Sequence, residues 1–285
     1  MKTLAVGFGL VESPRWHDGR LWFADWTAGE IRVLGEDGTT DVVVRHRSLP
    51  LCFDFLPDGT TLVVSSATCT LLRLERDGSL TSYADLTPLS SLGANDIVVD
   101  GRGNAYVNSN NAEFGATTPA GSLASGRIYL MPRSGEPRIV AEDLDFPNGM
   151  AVTGDNRTLI VAESYRQRLT AFDIAGDGSL GERRVFADLG ADPPDGITVD
   201  ATGAVWYADV PHRQCVRVAE GGKVLDRVTL DRGGFACMLG GADGRTLHVV
   251  GAHWPGASGL TEQTDWDGAV WSTRAPEPRA GWPGN

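Results

Sequence analysis

The sequence predicts an all-β fold, a six-bladed β-propeller of four-stranded blades around a central channel. Three observations carry that prediction. A turn followed by a short strand-like run recurs six times along the 285 residues. Further short segments, β-branched or alternating, flank the copies and are bounded by Gly, Asp and Pro. No long window holds the 3.6-residue apolar period of a helix.

The recurring unit reads HDGRLWFAD at 17–25, PDGTTLVVS at 57–65 and DGRGNAYVN at 100–108. It returns as TGDNRTLIVAE at 153–163, DATGAVWYAD at 200–209 and GADGRTLHVVG at 241–251. The first apolar residues of the six runs are Leu21, Leu62, Ala105, Leu159, Val205 and Leu247, so the spacings are 41, 43, 54, 46 and 42. A period of that length suits one propeller blade. An apolar segment such as DIVVD or GITVD precedes the turn and forms the innermost strand. Segments such as EIRVLGEDG and DVVVR supply the third and fourth strands.

The sixth copy runs into a Pro/Gly-rich tail at 273–285 before a fourth strand can form. The N-terminal segment KTLAVGF is expected to pair there and close the ring, which protects the edges an open sheet exposes. The whole chain, 1–285, then forms a single propeller domain. The longest spacing contains NSNNAEFGATTPAGSLASG at 108–126, which reads as a loop over one face.

Composition narrows the function. The formal charge of −12 disfavours a nucleic-acid partner and an anionic membrane surface. No stretch approaches the ~20 apolar residues that span a bilayer. Glu12 ends the N-terminal apolar run before a secretory core could form. Cys52, Cys69, Cys215 and Cys237 are scattered without CxxC spacing, so they read as buried thiols of a reduced protein rather than zinc ligands. The expectation is a cytoplasmic protein, a monomer or small homo-oligomer, acting on a small molecule.

In a propeller the innermost strands line the channel. Stepping back five residues from the first position of each turn gives Glu12, Cys52, Asn95, Asn148, Asp195 and Ala236. Four of these six carry a side-chain oxygen. Two carboxylates and two amides converging on one axis call for a positive partner. Oxygen donors suit a hard divalent cation such as Ca²⁺ or Mg²⁺, bound off-centre toward blades one, three, four and five. Loops after the second strands open at the same end. They bring Trp26, Tyr165, Arg166 and His212 to the rim, with His253 and Trp254 expected to line the pocket. No GxSxG serine-hydrolase motif is present.

The chain resembles the senescence marker protein (regucalcin), gluconolactonase and luciferin-regenerating enzyme family over essentially its whole length. The resemblance rests on LVESPRWHDGRLWFAD, LCFDFLPDGTTLVVSS, ANDIVVDGRGNAYVN, FPNGMAVTGDNRTLIVAES, RLTAFDIAGDGSL and PDGITVDATGAVWYAD, in that order. It implies one divalent metal ion, Ca²⁺ first, with Zn²⁺, Mn²⁺ or Mg²⁺ also used in the family. The Glu of ESP, the Asn of PNG and the Asp of PDG are its ligands there, and they match Glu12, Asn148 and Asp195. The Asn of the ND pair matches Asn95, close to the metal and the substrate. Glu113 falls where some relatives place a substrate-binding acid. The implied activity is hydrolysis of a lactone or other ester, with Asp195 as general base. One departure stands out. Sugar-lactone members carry an Arg two residues before the ND Asn, and here that position is Gly93. A less polar or larger substrate is therefore expected. Alternatives are a related propeller enzyme acting on another ester, an organophosphate or a pathway intermediate, and a non-enzymatic calcium-binding propeller.

Overall fold

The computed structural model describes residues 1–90, 93–110, 126–256 and 265–283. Its first strand, β1 (Lys2–Phe8), is set aside for the end of the ring. Blade one follows as β2 (Val11–His17), β3 (Arg20–Asp25), β4 (Glu30–Leu34) and β5 (Thr40–Arg45). Blade two is β6 (Leu51–Phe55), β7 (Thr61–Ser65), β8 (Thr70–Leu74) and β9 (Leu80–Asp85). Blade three is β10 (Ile97–Val99), β11 (Ala105–Ser109), β12 (Gly126–Met131) and β13 (Arg138–Leu144). Blade four is β14 (Pro147–Val152), β15 (Thr158–Glu163), β16 (Arg168–Ile174) and β17 (Leu180–Asp188). Blade five is β18 (Ile197–Val199), β19 (Val205–Asp209), β20 (Gln214–Val218) and β21 (Val224–Thr229). Blade six is β22 (Gly233–Gly240), β23 (Thr246–Ala252) and β24 (Gly268–Arg274).

The described residues thus form six four-stranded antiparallel sheets, and β1 is the outer strand of the sixth. It pairs with β24 from Lys2↔Ser272 to Phe8↔Gly268, so the two ends of the chain share one blade as the sequence predicts. The hairpins inside the blades use Asp-Gly chemistry. In the β6–β7 turn, Asp58 Oδ1 accepts the Thr60 N–H at 2.9 Å. Gly59 there takes a φ of +84°, which only glycine adopts without strain.

Position in the blade sets the composition of each strand. β7 and β15 lie between neighbouring strands and neighbouring blades, and they read TLVVS and TLIVAE, nearly all buried. The outer strand β17 reads LGERRVFAD and is mostly exposed, its charges guarding the sheet edge. A separate apolar cluster fills each gap between blades. Leu62, Val64, Ile97, Val107 and Tyr129 join blades two and three. Val11, Leu21, Phe23, Ala236, Val250 and Val270 join blades one and six, so the core closes on itself like the sheets. At roughly 25 cal/mol per Å² of apolar area buried, these faces are what hold the blades edge to axis.

The C-terminal segment does not end with β24. Beyond Arg274 it crosses the end of the ring opposite the first residues of the inner strands. The Arg279 N–H donates to Gly244 O, Ala280 N–H to Val199 O, and Trp282 exchanges two 2.9 Å hydrogen bonds with Val152. It therefore ties blades six, five and four together. The Trp282 ring reaches blade three, where a Cβ on Gly101 would lie 2.2 Å from its Cζ2. No helix of the described residues is long and apolar enough to cross a membrane. Most of the loop expected at 108–126 lies outside the described residues.

Candidate active site

The inner strands bring the aligned positions together through a local irregularity. Along a regular strand, residues three apart point to opposite faces. In blade one Glu12 pairs with Ala24 and Arg15 with Trp22, so β2 spends three residues where β3 spends two. The extra residue is a β-bulge, with Ser13 at a φ of +50°. It turns Glu12 and Arg15 to the same side, and both line the channel pocket. In blade four Pro147 pairs with Glu163 and Met150 with Val161, again one residue extra, at Asn148–Gly149. In blade three Asn95 N–H donates to Asn108 O while Asn108 N–H donates to Asp96 O. Asp195 N–H and Ala208 O, with Ala208 N–H and Gly196 O, repeat this in blade five. Blade two pairs without a break from Leu51↔Ser65 to Phe55↔Thr61, and its residue at this level is Cys52. The four oxygen-bearing positions all sit on irregular backbone; Glu12, Asn95 and Asn148 line the channel pocket, and the buried Asp195 carboxyl feels the charges of Glu12 and Asp96.

Two glycines let the strands converge. A Cβ on Gly149, after Asn148, would lie 2.6 Å from Asp195 O. A Cβ on Gly196, after Asp195, would lie 2.2 Å from the Cβ of Ala236. The PNG and PDG motifs therefore have a packing reason for their last residue.

Hydrogen bonds orient the amides. Asn148 Nδ2 donates to Ser164 Oγ at 3.3 Å, and Ser164 Oγ donates to Pro194 O at 2.7 Å. That leaves Asn148 Oδ1 for the channel. Asn95 Nδ2 donates to Pro147 O at 3.3 Å and lies 3.5 Å from Asn148 Oδ1. Asn108, absent from the sequence-based set, braces both neighbours: its Nδ2 donates to Asn148 O at 2.6 Å, and its Oδ1 accepts Asp96 N–H at 3.0 Å.

The electrostatics are those of crowded carboxylates. Burial pushes Glu12 up to about 8, opposed by the Ser13 N–H and reinforced by Asp96. Burial and then the charges of Glu12, Asp96 and Asp209 hold the Asp195 carboxyl well above the usual range. Burial likewise raises the Cys52 and Cys237 thiols, which stay neutral and unreactive. Two buried acids that repel each other, beside two amide oxygens, make a donor set that fits a hard divalent cation. Arg15 is the one cation among the described residues lining the pocket. Its partners, Asp96 and Asp54, escape a reading based on aligned positions alone. The usable signals were adjacency, with Asp96 next to Asn95 and Arg15 three residues after Glu12.

The remaining expected residues are placed as follows. His253 is exposed at the end of β23, its N–H donating to Trp266 O at 2.8 Å. Trp254 is half-buried, edge-on to Phe235 at 5.8 Å, in an apolar cluster with Leu10, Val210 and Trp266. Glu113 lies outside the described residues. At Gly93 a Cβ would lie 1.9 Å from Ser66 Oγ and 2.8 Å from Ser66 O, so blade two occupies the space of a side chain there. A second acidic group, Asp192, Asp209 and His212, gathers at the blade-five rim with ligand atoms within 4.8 Å of one another. Its atoms are already engaged. His212 Nδ1 lies 2.7 Å from Asp209 Oδ2, Gln214 Nε2 donates to the same oxygen at 2.7 Å, and Tyr207 OH donates to Asp192 at 2.8 Å.

Comparison with known proteins agrees with this architecture. Residues 10–253 match the model of the SMP-30/Gluconolactonase/LRE-like region. The pentonolactonase XacC of Haloferax volcanii is 27% identical, over 85% of this chain and 89% of its own. The 6-deoxy-6-sulfogluconolactonase of Pseudomonas putida is 25% identical, over 94% of this chain and 92% of its own. Among solved structures, the calcium-binding protein regucalcin from Agrobacterium tumefaciens superposes with a TM-score of 0.75 at 21% identity, covering 99% of this chain and 97% of that one. With a family match over 10–253 and a closed six-bladed ring, the chain belongs to the SMP-30/gluconolactonase/LRE-like family.

Proposed function

We propose that the protein is a metal-dependent hydrolase that opens a lactone by adding water to its carbonyl carbon. The observation that carries this reading is the convergence of Glu12, Asn95, Asn148 and Asp195 from four bulged inner strands at one end of the channel. Support comes from two relatives named as lactonases that align over most of their length.

Glu12, Asn148 and Asp195 would hold the ion, Ca²⁺ in first place, with Zn²⁺, Mn²⁺ and Mg²⁺ as the other choices. Bound there, a divalent cation supplies Lewis-acid polarisation of a carbonyl and acidifies water. Asp195 takes the proton of the attacking water as general base. The Asn95 amide, held only by long contacts of 3.3 and 3.5 Å, is the donor that meets the developing oxyanion. The bond between the carbonyl carbon and the ring oxygen then breaks, the ring oxygen takes the proton held on Asp195, and the product is one open-chain hydroxy acid.

Substrate choice follows from what blade two excludes. With Ser66 filling the space beside Gly93, no long side chain from that position reaches over the substrate. Trp26 and Met150 line the pocket instead. The preferred lactone therefore has fewer hydroxyls or a larger apolar part than an aldonolactone.

The test is turnover of a panel of aldonolactones, alkyl-substituted lactones and aryl esters by protein treated with EDTA and then resupplied with single metals. Lactone hydrolysis that vanishes with EDTA and returns with Ca²⁺ or another divalent ion is the expected result. Full activity after chelation, or a metal-replete protein inert to every lactone, overturns the reading.

A further inference from the structure

The channel holds a buried cation of its own. Arg15 is 4% exposed, on the far side of the bulge from Glu12. Its Nη1 donates to Pro14 O at 3.0 Å, inside the bulge itself. Its Nη2 donates to Ile97 O at 2.8 Å and to Asp96 Oδ1 at 3.2 Å, both in blade three. Its Nε lies 3.6 Å from Asp54 Oδ1 on β6. Asp54 is itself fully buried and fixed, its Oδ2 accepting the Val99 N–H at 2.7 Å and its Oδ1 the Phe55 N–H at 2.9 Å. One guanidinium thus links the inner strands of blades one, two and three. The middle one of these, blade two, carries Cys52, one of the two positions where the ring of oxygens is broken.

Arg15 balances Asp54 and Asp96, but its charge works against binding a cation beside Glu12. A buried guanidinium near a metal site repels the metal, and burying it costs several kcal/mol unless its donors are matched. What it supplies is geometry. An arginine offers a planar fork of donors, and here the fork spans the blade-one bulge and the start of the inner strand of blade three. The bulge carries Glu12. Asn95 and Asp96 lead directly into that strand.

We propose that Arg15 is a positioning residue for the cation site, clamping the Glu12 bulge to the Asn95–Asp96 segment so that their oxygens face the channel together. The proposal rests on the metal site proposed above. It has a sign that charge alone cannot mimic. Removing a positive group from beside a cation site strengthens cation binding through electrostatics, whereas removing a clamp weakens it.

The test uses purified full-length protein and the Arg15→Met variant, with Ca²⁺ binding by titration calorimetry and Tb³⁺ luminescence lifetimes in H₂O and D₂O. The lifetimes count water molecules bound to the ion. The expected result is Ca²⁺ affinity at least tenfold weaker in the variant and at least one more water on Tb³⁺, as a displaced protein oxygen is replaced. Equal or tighter Ca²⁺ binding with an unchanged water count overturns the proposal. If Arg15→Met does not fold, because Asp54 and Asp96 are left unpaired, Arg15→Lys keeps the charge without the fork. The extra water is expected there too, and its absence overturns the clamp. A wild-type protein that binds neither Ca²⁺ nor Tb³⁺ at this site refutes the metal reading itself, a separate outcome.

Discussion

Gly149 passes so close to Asp195 that a Cβ on it would stand 2.6 Å from the Asp195 carbonyl oxygen and 2.7 Å from Gly196 Cα. The obstacle is backbone on both counts, so it cannot swing aside. Gly149→Ala should push the inner strands of blades four and five apart, destabilising the fold by about 1–3 kcal/mol. The displaced residues are those next to Asn148 and Asp195, so divalent-cation affinity should fall with stability. Calorimetric melting and Ca²⁺ titration of the same sample check this. A variant with unchanged Tm and unchanged affinity would show that the close approach is not needed.

Asp195→Asn keeps the shape of the side chain and removes its basicity. Loss of a positioned general base costs about 10²–10⁴ in rate. The expected outcome is a fall in kcat of that order for whichever lactone the protein turns over best, with the fold intact by circular dichroism. Retention of more than half the wild-type kcat would remove Asp195 from the reaction.

His248 provides a pH test outside the site. It is buried, stacked on Trp16 at 5.3 Å, and burial pushes its pKa down to about 4. The sign follows from which state takes the proton. Above about pH 6.5 the imidazole is neutral in folded and unfolded chains alike, and it adds no pH dependence. Between about 6.5 and about 4 the unfolded chain protonates first, so stability falls with pH, by about 3 kcal/mol across the window. Urea unfolding of wild type and His248→Gln at pH 7 and pH 4.5 isolates the effect. The gap between the two proteins should narrow at acid pH, and a constant gap would contradict the assignment.

The C-terminal crossing predicts a stability role for Trp282. Its backbone pairs with Val152, and its ring fills the space beneath Gly101. Truncating a fully buried Trp costs about 3–5 kcal/mol, and this half-buried ring should cost about 2 kcal/mol. Differential scanning calorimetry of Trp282→Ala should show Tm lowered by several degrees, with the channel residues Glu12, Asn95 and Asn148 untouched at the other end. No change in Tm would mean the segment contributes nothing to holding the blades.

Much of this was legible in the chain because propellers repeat. Equivalent positions recur at intervals of 40 to 53 residues, so Glu12, Asn95, Asn148 and Asp195 could be aligned without coordinates. Their convergence in the structure follows from the strand geometry that the repeat imposes. The bulges were not legible. A bulge at Asn148–Gly149 and a regular pairing at Cys52 come from the equivalent segments FPNGMAV and LPLCFDF, and the hydrogen-bond register against the neighbouring strand tells them apart. The same holds for Arg15, which the bulge turns inward onto Asp54 and Asp96.

The sequence by itself determined the all-β class, the number of blades, the N-terminal closure and the residue types at the channel. Each of these is carried by local periodicity or by turn chemistry, which are encoded over a few neighbouring residues. Tertiary structure alone decided which strands bulge, how Arg15 is held, and that the Pro/Gly-rich tail docks across blades six, five and four. Tertiary structure also showed that Ser66 occupies the space beside Gly93. Those outcomes depend on contacts between residues tens of positions apart, whose pairing becomes defined only when the ring closes and brings the inner strands onto one axis.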